Sequence, residues 1–189
     1  MLEELGRSGY EELSVDAALR AAGVPRPEFE TEFGGKDKCL FAAYEHLTGQ
    51  IVERTAAVCA STASWPERVR AGLTELLTQA AAEPRLAQAV TRSFPGIRPD
   101  TYQCYVDLLA RFTPLMVEGR DYSGVAEELP AEVELLAVGA AEAIIFSEVD
   151  AGRTERLPEM VPEILFSVLV PFMGPERAAD EMREAAAAR

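Results

Sequence analysis

The chain is 189 residues long and 48% hydrophobic, so it can bury a sizeable core. Its formal net charge of −14 disfavours non-specific attraction to nucleic acid and to anionic membrane. Three scattered cysteines (Cys39, Cys59, Cys104) without a CxxC pair and a single histidine, His46, exclude a disulfide framework and a multi-histidine metal centre, so neither cofactor nor metal is expected.

Strand-like alternation is missing and alanine, leucine and glutamate dominate, which predicts an all-α protein. Residues 2–7 read as a short helix ended by Gly9-Tyr10. Ser14 reads as the N-cap of a helix to Ala22, with Asp16 in its first turn and Gly23 as its stop. Pro25 or Pro27 opens a third short helix reaching Phe33, and Gly34-Gly35 breaks the chain again. A long helix is expected from Lys36 to Ala60, with Leu40, Ala43, Leu47, Ile51 and Val58 near helical spacing.

Trp65-Pro66 opens a helix to Ala82 with the stripe Val69, Leu73, Leu76, Leu77, Ala80. Pro84 opens a short helix to Phe94. A loop with Pro95, Gly96 and Pro99 precedes a helix over 100–118, and residues 119–124 read as a polar loop. Pro130 begins a long apolar helix to Asp150. Pro158 lies in another, which reaches Met173, and Gly174-Pro175 separates a last amphipathic helix whose end frays. Met1–Leu5 lacks the basic segment and apolar run of a secretion signal. No stretch approaches about 18 consecutive apolar residues. A cytoplasmic protein without membrane contact is expected.

Enzyme chemistry has little to rest on. There is no Glu-x-x-His pair, no nucleophile elbow, and Gly34-Gly35-Lys36 is too short a loop to cradle a phosphate. His46 beside Glu45 reads as a surface or hinge residue.

The informative stretch is residues 9–44. It reads as helix, tight turn, helix, with Leu13, Val15, Ala18, Leu19, Val24, Phe29 and Phe33 as a miniature core. Gly9-Tyr10, the cap Ser14, the turn Ala22-Gly23-Val24, Phe29 and Phe33 four apart, Lys36-Asp37 and Leu40-Phe41-Ala42-Ala43-Tyr44 together resemble the TetR family of transcriptional regulators. The resemblance implies an N-terminal three-helix helix-turn-helix DNA-binding domain over 1–46. It further implies a C-terminal helical ligand-binding and dimerisation bundle over 47–189, and a one-component repressor released from operator DNA by an effector. Ser14, Arg26, Glu28, Glu30, Thr31 and Lys36 are the candidate DNA-facing residues.

The motif departs from the family pattern in three places. Pro25 and Pro27 stand where small or hydroxylated residues are usual, and Glu30 replaces a phosphate-contacting tyrosine. Residues 1–46 carry five basic residues against ten acidic ones, whereas DNA readers are basic. Three readings stay open: a basic segment ahead of Met1, groove contacts through Arg26, Thr31 and Lys36 with the glutamates turned away or reading cytosine, or lost DNA binding. The last would leave a dimeric small-molecule-binding or protein-interaction protein.

The bundle is read for two jobs. Tyr102, Tyr105, Leu109, Phe112 and Met116 share one helical stripe. With Trp65, Phe94 and Phe146 they are the candidate lining of a pocket for a small, mainly apolar effector. The helices around 131–150 and 160–172 are apolar on more than one face, so one face is expected to meet a second subunit. The candidate homodimer contacts are Leu136, Gly139, Ala140, Ala143, Ile144, Ile164, Leu165, Val168 and Phe172. The resemblance implies that effector binding swings the long helix from Lys36 and changes the separation of two recognition helices.

Overall fold

A computed structural model of the protein describes residues 1–60 and 64–188. Among these residues there is no strand, and nine α-helices follow one another. They are α1 (Leu2–Glu12), α2 (Val15–Ala22), α3 (Arg26–Glu32), α4 (Lys36–Cys59), α5 (Trp65–Ala82), α6 (Pro84–Gln88), α7 (Pro99–Ala110), α8 (Val133–Asp150) and α9 (Val161–Ala187).

The N-terminal boundaries follow from capping chemistry. The Ser14 hydroxyl accepts the Ala17 N–H at 3.2 Å and starts α2. Gly23 ends α2 in the left-handed region (φ 68°, ψ 24°), and its N–H reaches back to the carbonyls of Arg20 and Leu19. Pro25 then fixes an extended residue ahead of α3. Phe29 is the one fully buried residue of α3; it meets Leu19 of α2 and Cys39 of α4 in a small core edged by Val15 and Phe33. At α5, Ser64 and Glu67 cap each other: the Ser64 hydroxyl accepts the Glu67 N–H at 3.4 Å, and the Glu67 carboxylate accepts the Ser64 N–H at 3.2 Å.

A second core joins the N-terminal helices to the rest. Leu2 and Leu5 of α1 and Leu40 and Tyr44 of α4 meet Ala89, Val90, Phe94, Tyr105 and Leu108. The Tyr44 and Phe94 rings stack with centroids 4.0 Å apart. α1 lies so close to α6 that a Cβ on Gly6 would stand 1.9 Å from the Arg85 carbonyl oxygen. This shared core crosses the boundary placed at residue 46 from the sequence.

The largest core lies between α5, α8, α9 and the 3-10 turn Thr154–Met160, where Leu77, Ala137, Leu157, Ile164, Leu165 and Leu169 are all fully buried. Trp65 is 1% exposed. Its ring meets Phe172 edge-on at 5.2 Å, and its Nε1–H donates to the Leu115 carbonyl at 3.0 Å.

Three segments differ from their sequence reading. The helix expected over 100–118 stops at Ala110; Pro114 lacks an N–H, and in a continued helix its ring would collide with the Ala110 carbonyl. The chain continues as 3-10 turns over Thr113–Leu115 and Val117–Tyr122, so residues 119–122 are not an open loop. The coil after α6 widens into a π-turn over Ala89–Ser93. The third concerns apolarity. Thr154–Ala187 is long and apolar enough to cross a membrane, with mean hydropathy 1.4, although no such stretch was expected; half of that window is buried inside the bundle. The chain breaks direction at Gly174 (φ 76°), at the predicted Gly-Pro.

Candidate functional site

The middle and bundle cores leave a cavity of about 490 Å³ between them, within the usual range for small-molecule sites. Its wall is mostly apolar. α4 contributes Leu47, Ile51, Thr55 and Cys59, and α5 contributes its whole predicted stripe, Val69, Leu73, Leu76, Leu77 and Ala80. Val90 and Thr91 come from the π-turn, Tyr105, Leu108 and Leu109 from α7, and Val138, Ala141, Glu142 and Ile145 from α8. Phe112, Leu115 and Met116 close it from the 3-10 turns after α7.

Of the eight residues expected to line a pocket, the structure brings Tyr105, Leu109, Phe112 and Met116 together on this wall. It does not bring the other four there. Trp65 lies in the bundle core, and Phe94, 0% exposed, is stacked on Tyr44. Tyr102 and Phe146 point away, 58% and 37% exposed. Tyr102 shares the helical face of Leu109, seven residues on, but lies in the first turn of α7, about 10 Å along the axis from it and off the cavity wall. Sequence reasoning missed Thr55, Thr91 and Glu142. Their signal was faint: single polar residues inside otherwise apolar helical stripes.

Few polar groups face the cavity. The Tyr105 hydroxyl donates to Glu142 Oε1 at 2.7 Å. Burial first, and then this hydrogen bond to a carboxylate, push the Tyr105 hydroxyl above its ordinary pKa. Thr55 and Thr91 return their hydroxyls to the carbonyls of Ile51 and Ala87, at 2.9 Å each. Arg54 at the rim donates to Glu75 at 2.8 Å. Tyr44, behind Tyr105, is 1% exposed and its hydroxyl has no hydrogen-bond partner. Burial pushes all three thiols, Cys39, Cys59 and Cys104, above their ordinary pKa, which disfavours the thiolate.

The N-terminal module is exposed and acidic where it would meet a groove. Glu28, Glu30 and Thr31 are exposed on α3. Arg26 is engaged by carboxylates, Asp16 at 2.6 Å and Glu30 at 3.3 Å. Thr31 donates to the Pro27 carbonyl at 2.8 Å, and Ser14 is occupied as a cap. Lys36 sits apart from the α3 residues, at the start of α4. Its ammonium lies 3.8 Å from the Tyr10 ring centroid and donates to the Tyr10 carbonyl at 3.2 Å. Beside it the Tyr10 hydroxyl donates to Asp37 at 2.5 Å, and Arg98, just ahead of α7, reaches the same carboxylate at 2.8 Å. The Tyr10 hydrogen bond, followed by the one from Arg98, holds the Asp37 carboxyl below its ordinary pKa. α1, α4 and α7 thus meet at one polar joint.

The nine residues expected at a subunit contact divide in two. Ile164, Leu165, Val168 and Phe172 are at most 2% exposed and belong to the subunit's own core. They therefore present no side chain to a partner, a correction to the sequence reading. On α8, Leu136 is 61% exposed, Ala143 is exposed, and Gly139, Ala140 and Ile144 are half-buried. Leu135 and Phe146, also exposed, extend that apolar face.

No family model matches the sequence, and no curated protein matches it. Solved structures do match the fold. The fatty acid degradation regulator FadR from Bacillus halodurans superposes with a TM-score of 0.77 at 17% identity, over 89% of this chain and 93% of that one. The transcriptional regulator FadR from Bacillus subtilis, solved in complex with stearoyl-CoA, superposes with a TM-score of 0.68 at 18% identity, over 92% and 94%. The all-helical architecture, from the N-terminal helices to α9, is therefore one that solved regulators share.

Proposed function

We propose that the chain is a TetR-like one-component transcriptional repressor that acts in the cytoplasm, binds operator DNA as a homodimer and is released by a small, mainly apolar effector. One observation carries this reading. The single helix α4 starts beside the α2–α3 helix-turn-helix and ends as a wall of the cavity, through Leu47, Ile51, Thr55 and Cys59. A ligand that shifts this wall displaces a rod whose other end packs on α3 through Cys39 and Phe29. The likeness to regulators, one of them bound to stearoyl-CoA, supports the same reading.

The homodimer is proposed through Leu136, Gly139, Ala140 and Ala143 on the outer face of α8, where small residues allow close helix approach. Residues 1–46 are proposed as the DNA-binding unit, reaching DNA through Arg26, Thr31 and Lys36.

The test is an electrophoretic shift with the DNA upstream of the gene, at low and moderate salt. Retardation that a medium-chain alcohol reverses is the expected result. A second reading is favoured by the acidic α3 and by Arg26 held between Asp16 and Glu30: a dimeric ligand binder with weakened DNA binding. Ligand binding without any shift at low salt would select it.

A further inference from the structure

The apolar helix α8 carries four carboxylates, and three of them are matched by arginines. Glu134 receives Arg120 at 2.5 Å, Glu148 receives Arg153 at 2.6 Å and Arg156 at 3.7 Å, and Asp150 receives Arg92 at 3.0 Å. The fourth, Glu142, is the one on the cavity wall, and among the described residues no cation pairs with it. Its partner is the neutral Tyr105 hydroxyl, on one oxygen only.

A carboxylate facing an apolar cavity is costly to leave unmatched, and matching it is worth more there than in water. The rest of the wall gives an anion no better welcome. Among the described residues Arg54 is the one cation on that wall, already bonded to Glu75, and Glu83 adds a second carboxylate to it. Tyr105 and Phe112 bring aromatic rings, which attract cations, to the same wall. The chain's net charge of −14 raises the local concentration of cations and lowers that of anions.

We infer that the effector is an amphiphile with a cationic head, a lipophilic ammonium, whose charge sits against Glu142 while its chain fills the apolar cavity. This rests on the cavity being the effector site, and it separates this chain's ligand from an acyl thioester carrying phosphates.

Calorimetric titration with four decyl probes tests it: decyltrimethylammonium, 1-decanol, decanoate and decanoyl-coenzyme A, each below its micelle concentration. Decyltrimethylammonium should bind most tightly, about tenfold better than decanoate. Glu142→Gln, which keeps the shape and an oxygen for Tyr105, should remove about that factor for the ammonium and leave 1-decanol unchanged. Unchanged ammonium affinity in Glu142→Gln overturns the inference. So does tighter binding of decanoate or decanoyl-coenzyme A than of the ammonium by the wild-type chain, a ranking that decides the matter even if the variant does not fold. Binding of 1-decanol and decanoyl-coenzyme A without the ammonium sinks the cationic head but keeps the apolar effector. Silence from all four sinks both.

Discussion

The α2–α3 unit and the α5–α8–α9 bundle are built from the same kinds of residue but held together very differently. α3 is seven residues long and rests on Phe29, with Leu19 and Cys39 as its buried neighbours. The bundle interlocks Trp65, Leu77, Ala137, Leu157, Ile164, Leu165, Leu169 and Phe172, all 2% exposed or less. Hydrophobic stabilisation follows buried area, so the bundle holds most of the chain's stability and α2–α3 little of its own. On the proposed function this places a reader of shape at the weakly held end and a ligand container at the other. Such a division lets a small strain in the container be felt as a large displacement at the reader.

The largest expected effect lies in the container. Trp65→Ala removes a buried indole, its contact with Phe172 and its bond to the Leu115 carbonyl. It should lower whole-chain stability by about 3–5 kcal/mol, read from the urea midpoint. Phe29→Ala deletes a side chain that is just as buried, and should cost about 3 kcal/mol within its own unit. Hydrogen exchange should show α2 and α3 opening while α5, α8 and α9 stay protected. An equal fall in the whole-chain midpoint for both variants would erase the difference between the two regions.

The joint between the regions gives two smaller tests. Tyr44→Phe removes a buried hydroxyl that has no partner, so it should stabilise the chain by about 1 kcal/mol, again by urea midpoint. A loss of stability would mean that the hydroxyl is satisfied in solution. Asp37 has its folded pKa lowered, chiefly by the Tyr10 hydroxyl and next by Arg98. Its contribution is therefore complete above the ordinary carboxylate pKa of about 3.9 and is lost as pH falls through the lowered value. Both partners of the ion pair are more than a third exposed, so the effect should be the smallest of the four. Asp37→Asn should lower the urea midpoint slightly at pH 7, and that difference should vanish as pH falls through the acid limb, which the variant flattens.

The sequence disclosed what depends on local chemistry. Ser14, Gly23, the Gly34-Gly35 pair and Gly174 mark the turns where the structure has them, because caps and positive φ are decided within a few residues. The α5 stripe was legible too, but only as a buried face. Whether Val69, Leu73 and Leu77 meet other side chains or an empty space depends on helices far away in the chain. Phe94 and Trp65 show the same limit. Large aromatics attract suspicion as ligand contacts, and here they fill two separate cores. The first half of α9, to Phe172, is apolar on more than one face, which implied a partner. Its burial under α5, α8 and the turn after α8 accounts for Ile164, Leu165, Val168 and Phe172 without one.

The contact at Gly6 has a mechanical consequence. Where α1 crosses α6, main chain lies on main chain, because no Cβ intervenes at the Arg85 carbonyl. Side chains can change rotamer and absorb a shift of an ångström, but peptide planes cannot. The segment after α6 carries Val90 and Thr91 into the cavity wall. Any displacement of that segment would be passed to α1 through a contact without play, which on the proposed function gives the pocket a second route to the N-terminal helices besides α4.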